Sequence, residues 1–136
     1  MENLDENLAV EALEKGYEEA KELLANTDKM DAFLQKAEKQ LGSVPVAGSA
    51  LAIVPTMISL VKSYVKKEYS ELPIGSIIAV VSSLIYWLKK KDLIPDRIPI
   101  FGKVDDVAVI AICTKLVKND IENYEKWRNE NNKVEN

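Results

Sequence analysis

Hydrophobic residues recur every three to five positions among glutamates and lysines from about residue 4 to residue 41. This spacing matches the period of amphipathic helices and predicts two of them. The first covers about residues 4–25 and has Gly16 in its interior, at a cost of about 1 kcal/mol relative to alanine, so we expect it to dock loosely. The second begins after the capping cluster at residues 26–28. It should end at Gly42, which suits a left-handed residue at a helix C-terminus.

Longer apolar segments follow. Residues 46–69 predict a third helix, which Pro55 should kink or break near Val54, because proline removes a backbone hydrogen bond and clashes with the preceding turn. The fourth helix, about residues 74–90, is apolar on nearly every face and should therefore be central and buried. A fifth begins near Val104 and carries an inward stripe as far as Trp127.

These elements predict an all-α fold class: a single-domain bundle of five to six helices with a central apolar helical hairpin. Its divisions are an acidic amphipathic N-terminal helix at 1–27, a helical domain at 28–128 and a disordered tail at 129–136. The first helix is the part that we expect to be detachable or to mediate self-association.

The uncharged runs at residues 40–61 and 72–88 support an alternative, an integral or membrane-docked helical hairpin. Spanning a bilayer takes about 20 mainly apolar residues. The first run is interrupted by prolines and glycines, and the second is only 17 residues long. We therefore favour a soluble protein or one peripheral to the membrane.

Composition limits the chemistry further. The chain has 136 residues, enough for one core, with no histidine and one cysteine. Internal disulfides, zinc sites of the Cys/His type and Ser-His or Cys-His nucleophiles are therefore excluded. We assign no catalytic residue, no cofactor and no metal ligand, and we expect a protein that is not an enzyme.

Charge is unevenly distributed around a net value of −4. Residues 1–40 carry eleven acids and five bases, whereas residues 62–91 carry two acids and six bases. No dominant basic face is present, so we expect no nucleic-acid partner. The acidic start lacks the features of a signal peptide, which favours a cytoplasmic protein, either free or associated with the membrane. The partner that we expect is an unidentified protein; a second copy of this chain and an anionic membrane surface are further candidates.

The segment 89–106, KKKDLIPDRIPIFGKVDD, concentrates the candidate chemistry. Its four carboxylates could gather oxygen ligands for Mg²⁺ or Ca²⁺, either to bind the ion or to support hydrolysis. The alternative, which we favour, is structural: aspartates cap turns and helix starts, while the prolines and the glycine shape the connection. The carboxylates are Asp92, Asp96, Asp105 and Asp106, and the shaping residues are Pro95, Pro99 and Gly102.

Lys89, Lys90 and Lys91 could contact anionic lipid headgroups at about 1 kcal/mol each. Three further lysines, at 62, 66 and 67, form a possible second contact. The favoured alternative is a solvated helix end that complements the helix dipole. The aromatic residues and Cys113 are expected to pack in or beside the core; the aromatic residues are Tyr86, Trp87, Tyr124 and Trp127.

The segment from Tyr86 to Asp106 resembles the YkvA-like family, a bacterial domain of unknown function. The matching positions are Tyr86, Asp92, Leu93, Ile94, Pro95, Asp96, Pro99, Gly102, Asp105 and Asp106. Lys89 and Lys90 stand where the family usually has Ser-Pro, and Arg97 where an apolar residue is common. The resemblance implies a helical domain that is sometimes membrane-associated, and it implies no established activity. We interpret the chain as an interaction or scaffold domain.

Overall fold

The computed structural model describes residues 2–43, 50–90 and 106–130. Within these ranges the chain forms seven α-helices and one short 3-10 turn and contains no strand, so the predicted all-α fold class is confirmed. In chain order the helices are α1 (Glu2–Lys15), α2 (Tyr17–Leu24), α3 (Thr27–Ser43), α4 (Val54–Val65), α5 (Ile74–Lys90), α6 (Asp106–Leu116) and α7 (Lys118–Glu130), with the 3-10 turn at Ala50–Ile53.

Helix α5 is the centre of the bundle, as its all-round apolar sequence predicts. Residues 77–89, thirteen in a row, are all buried. Helices α1, α2, α3, α4 and α6 pack around it. A helix can be apolar on every face only when neighbours cover every face, and here they do.

The N-terminal segment is part of the core rather than a loosely docked arm, so the expectation of weak docking is wrong. Gly16 divides the predicted single helix into α1 and α2. Ala12 and Leu13 on α1 and Ala20 on α2 are almost completely buried, and the Ser82 hydroxyl of α5 donates to the Leu13 carbonyl at 2.5 Å. The narrow apolar stripe of α1 and α2 is enough to dock them on the core, because the small alanine side chains let the helix backbones approach closely.

The ends of the helices agree in part with those predicted from capping residues, proline and glycine. The Asn26 side chain accepts the Lys29 amide at 3.0 Å, which confirms the predicted cap at the start of α3. Pro55 lies in the first turn of α4, where its missing N–H costs nothing, so the predicted break near Val54 is confirmed. Gly42 lies inside α3 instead of ending it in a left-handed conformation, so that expectation is wrong.

Helices α4 and α6 both run antiparallel to α5. Ser83 at the middle of α5 lies 3.7 Å from the Met57 sulfur near the start of α4. Ser76 at the start of α5 donates to the carboxylate of Asp120 on α7. The predicted fifth helix bends at Val117 into α6 and α7, and Tyr124 on α7 then reaches back to α4.

Candidate functional site

Most of the aspartate motif lies outside the described residues. These positions are Lys91, Asp92, Pro95, Asp96, Pro99, Gly102 and Asp105. Asp106 begins α6, in agreement with its predicted place in a first helical turn, but its side chain and that of Lys90 are also outside the described set. Ion binding by the four aspartates therefore stays a prediction. In the described parts of the chain, no three acidic or cysteine side chains gather into a metal site.

Lys89 is not a surface residue, contrary to the expectation of a solvated lysine cluster. It is 3% exposed, and its ammonium lies 3.6 Å from Oε1 of Glu19 on α2. A charge buried away from water requires an oppositely charged partner. Glu19, which lies 70 positions earlier in the sequence, is that partner. Lys89 therefore ties α2 to the end of α5 rather than facing a membrane.

The two lysine groups named by the sequence lie at opposite ends of the helical hairpin. Lys66 and Lys67 directly follow α4, beside the start of the antiparallel α5. Lys89 is near the end of α5, about 22 Å further along the helix axis at 1.5 Å per residue. One flat surface cannot engage both groups through the same end of the molecule.

The aromatic residues pack as predicted. Tyr86 and Trp87 are buried in α5, whereas Tyr69, Tyr124 and Trp127 form a cluster between α4 and α7. The ring centroids are 5.2 Å apart for Tyr69 and Tyr124 and 5.0 Å apart for Tyr69 and Trp127. Such contacts are worth about 0.5–1.5 kcal/mol beyond area burial, so the cluster fixes α7 against the rest of the bundle.

Cys113 is a buried small side chain, as predicted. It is fully inaccessible, and burial raises the pKa of its thiol from 9.0 to about 12, with a hydrogen bond to Ser83 acting in the opposite direction. A thiol is nucleophilic only as the thiolate. Cys113 therefore contributes packing and no reactive sulfur at neutral pH.

A cleft between α3, α4 and α7 is a feature that sequence reasoning missed. It has a volume of about 360 Å³ and adjoins a second depression of about 210 Å³ that shares Glu38, Lys62 and Lys66 with it. Helix α4 and its C-terminal cap line it with Ser59, Lys62, Ser63 and Lys66, at spacings of three, one and three residues. These spacings place hydroxyls and ammoniums on one helix face, and that pattern was readable in the sequence.

Two exposed apolar side chains lie at the end of the bundle where α5 begins. Ile74 is 60% exposed and Leu116 is 57% exposed. Val107, the third large exposed hydrophobic residue within the described ranges, is at the other end of α6 and is 39% exposed. The hydrogen bond between Ser76 and Asp120 places the start of α5 beside the start of α7, so Ile74 and Leu116 lie near the same end of the bundle. Ile74 is two residues from Ser76 in the sequence, and Leu116 is four residues, or about 6 Å along a helix, from Asp120.

Lysines surround this end of the molecule. Lys66, Lys67, Lys115 and Lys118 are exposed there, as are Glu68, Glu71 and Glu122. The local charge is therefore mixed, with basic residues directly beside Leu116. We call Ile74 and Leu116 together the apolar tip.

Comparison with known proteins fits the motif. Residues 76–112 match the family described as "Protein of unknown function (DUF1232)". The chain is also 27% identical over 75 residues to the "Uncharacterized membrane protein YkvA" of Bacillus subtilis, a span that covers 55% of this chain and 71% of that relative. Both matches support the assignment of the matched segment to the YkvA-like family. No solved structure matches it.

The family match falls on the most buried part of the molecule. The matched residues 76–112 include nearly all of α5 and more than half of α6. The described residues of that match include Trp87, Lys89 and Ile112, whose side chains are buried. The YkvA-like segment is thus the core around which α1–α4 and α7 are arranged.

Membrane crossing was the main alternative raised by the uncharged runs. In the parts of the chain that the structure describes, no helix combines the length and the hydrophobicity that a bilayer span needs. Helix α5 has 17 residues.

Proposed function

We propose that this YkvA-like protein is a non-enzymatic interaction domain that docks peripherally on a membrane surface through its apolar tip. The observation that carries the proposal is the location of Ile74 and Leu116 near one end of the bundle. They are the two most exposed large hydrophobic side chains among the described residues. The name of the Bacillus subtilis relative, a membrane protein, adds support.

The expected attachment is weak and reversible. Burying a complete isoleucine or leucine side chain stabilises by about 1.5–3 kcal/mol, and a little over half of each is exposed. The tip therefore contributes about 2–3 kcal/mol on inserting below the headgroups. Each lysine close to an anionic surface adds about 1 kcal/mol, partly opposed by the neighbouring glutamates. Attachment of this strength responds to salt and lipid charge.

The test is flotation of the purified, detergent-free protein with vesicles. Wild-type protein should float with vesicles rich in phosphatidylglycerol, should float less at high salt, and should bind little to phosphatidylcholine. The double variant Ile74→Ser/Leu116→Ser should lose most of the binding. Val107→Ser is the matched control, because it removes an exposed hydrophobic side chain from the opposite end of α6, and it should bind like wild type.

Two results would contradict the proposal. If the wild type does not float with any vesicle, or the double variant floats as well as the wild type, the apolar tip is not a docking surface. If flotation resists salt and the protein needs detergent to leave the vesicles, the integral hairpin is the better description.

A further inference from the structure

We infer that the cleft between α3, α4 and α7 binds a small ligand through a phosphate ester group. This inference is separate from membrane docking by the apolar tip, because neither Ile74 nor Leu116 lines the cleft. The cleft volume of about 360 Å³ lies in the range of small-molecule sites, about 300–1,000 Å³. Half of the residues that line it carry hydrogen-bond donors suited to an oxyanion: Ser59, Lys62, Ser63, Lys66 and Tyr124.

Hydroxyl hydrogens provide the first argument. The Tyr124 hydroxyl lies 2.5 Å from the Ser59 hydroxyl and 3.1 Å from that of Ser63. Three hydroxyls carry three hydrogens, and two contacts use only two of them. Among the described residues no acceptor takes the third hydrogen. Ser59 and Ser63 both line the cleft, so a ligand oxygen there would satisfy it.

Lys62 and Lys66 provide the charge. Lys62 is held at 2.7 Å by Glu38 across the mouth between α3 and α4, with about two fifths of each side chain exposed. An ammonium has three donors, and Glu38 takes one, so Lys62 can bind a ligand without leaving its partner. Lys66, one turn further at the C-terminal cap of α4, has no ion-pair partner within the described ranges.

A phosphate ester fits this set better than a neutral ligand. Two ammoniums and a free hydroxyl hydrogen converge on the same cleft, and charge-assisted hydrogen bonds to phosphate oxygens are the strong ones. Glu38 and Glu68 also line the cleft, so the two glutamates balance the charge of the two lysines, and their carboxylates repel an incoming phosphate. Removing the charge of Glu38 should therefore tighten binding.

The experiment is an amide NMR titration of the full chain with glycerol phosphate, with glycerol at matched ionic strength as the blank. Amides from Ser59 to Lys66 should shift saturably at millimolar ester. Lys66→Gln should weaken binding about tenfold, and Glu38→Gln should tighten it roughly threefold. Lys67→Gln is the matched control: it removes the adjacent lysine, which does not line this cleft, and should leave the affinity unchanged.

A second arm separates a lipid headgroup from a soluble ester. If vesicles containing phosphatidic acid bind the wild type better than they bind Lys66→Gln, and glycerol phosphate competes, the source is a lipid. If only the soluble ester binds, the ligand is a free phosphate ester. Shifts that do not saturate, or equal binding by wild type and Lys66→Gln, would overturn the inference while leaving the test of the apolar tip unaffected.

Discussion

Lys67 occupies a backbone conformation that glycine normally provides. Its φ of 63° is left-handed, and it follows α4 in a Schellman arrangement in which the Glu68 amide donates to the Ser63 carbonyl at 2.9 Å and the Lys67 amide to the Tyr64 carbonyl at 3.0 Å. A side chain in this region costs about 1 kcal/mol. The bonds that end α4 hold the residue there.

Replacing Lys67 by glycine should therefore stabilise the protein. We expect Lys67→Gly to raise the free energy of unfolding by about 0.5–1 kcal/mol, after allowance for the greater freedom of glycine in the unfolded chain. Lys66→Gly is the matched control, because it removes the same charge at a right-handed position with φ of −80°, and it should destabilise. Urea unfolding measures both; equal effects would show that the left-handed conformation is not strained.

Cys113 should make stability fall at alkaline pH. Its pKa is about 12 in the folded protein because of burial, against 9.0 when unperturbed, so above about pH 9 only the unfolded thiol loses its proton. The unfolded state then binds fewer protons, and stability decreases as pH rises. At about pH 10 the loss from this one thiol should be about 1.4 kcal/mol.

The comparison that isolates the thiol uses Cys113→Ala. Burial also raises the pKa of Tyr69, but that contribution is present in both proteins and cancels in the difference. Urea unfolding between about pH 8 and about pH 10 should show a steeper decline for wild type than for the variant. Parallel declines would mean that the thiol is not kept neutral by the fold.

At the scale of elements, we expect α1 and α2 to unfold in the same transition as α5. Leu13 is completely buried, and its carbonyl accepts a bond from Ser82. Leu13→Ala should lower the free energy of unfolding by about 2–5 kcal/mol and shift one single transition. The half-buried Leu8 serves as the control, and Leu8→Ala should cost clearly less.

An independently detachable arm would behave otherwise. Thermal unfolding followed by circular dichroism would then show a small early transition that moves in Leu13→Ala, while the main transition stays in place. That outcome would restore the expectation that the N-terminal segment is a separate unit.

Local sequence signals predicted the elements better than their ends and partners. The apolar pattern of α5, the Asn26 cap and the Pro55 break were each readable within a few residues. The bends at Gly16 and Val117 were not, because helical spacing continues across both, and backbone bonds such as that from the Ile121 amide to the Val117 carbonyl bridge the second bend. Gly42 was misread, since a glycine also fits inside a last helical turn.

At the scale of the whole molecule, prediction failed where distant segments meet. Lys89 looked solvated because its partner Glu19 is 70 positions away. The cleft was missed because its hydroxyl cluster needs Tyr124, more than 60 positions beyond Ser59 and Ser63. Spacing within one helix indicates which side chains share a face, and it does not indicate what the fold places against that face.

The central position of α5 has a consequence for how the protein is made. The ribosome synthesises the chain from the N-terminus, so residues 77–89 emerge before α6 and α7 exist to cover them. For that interval a nascent chain presents a long apolar helix that only part of its eventual shell can bury, the kind of transient surface that invites aggregation or chaperone binding. The interior that gives the finished molecule its stability is, during translation, its most vulnerable segment.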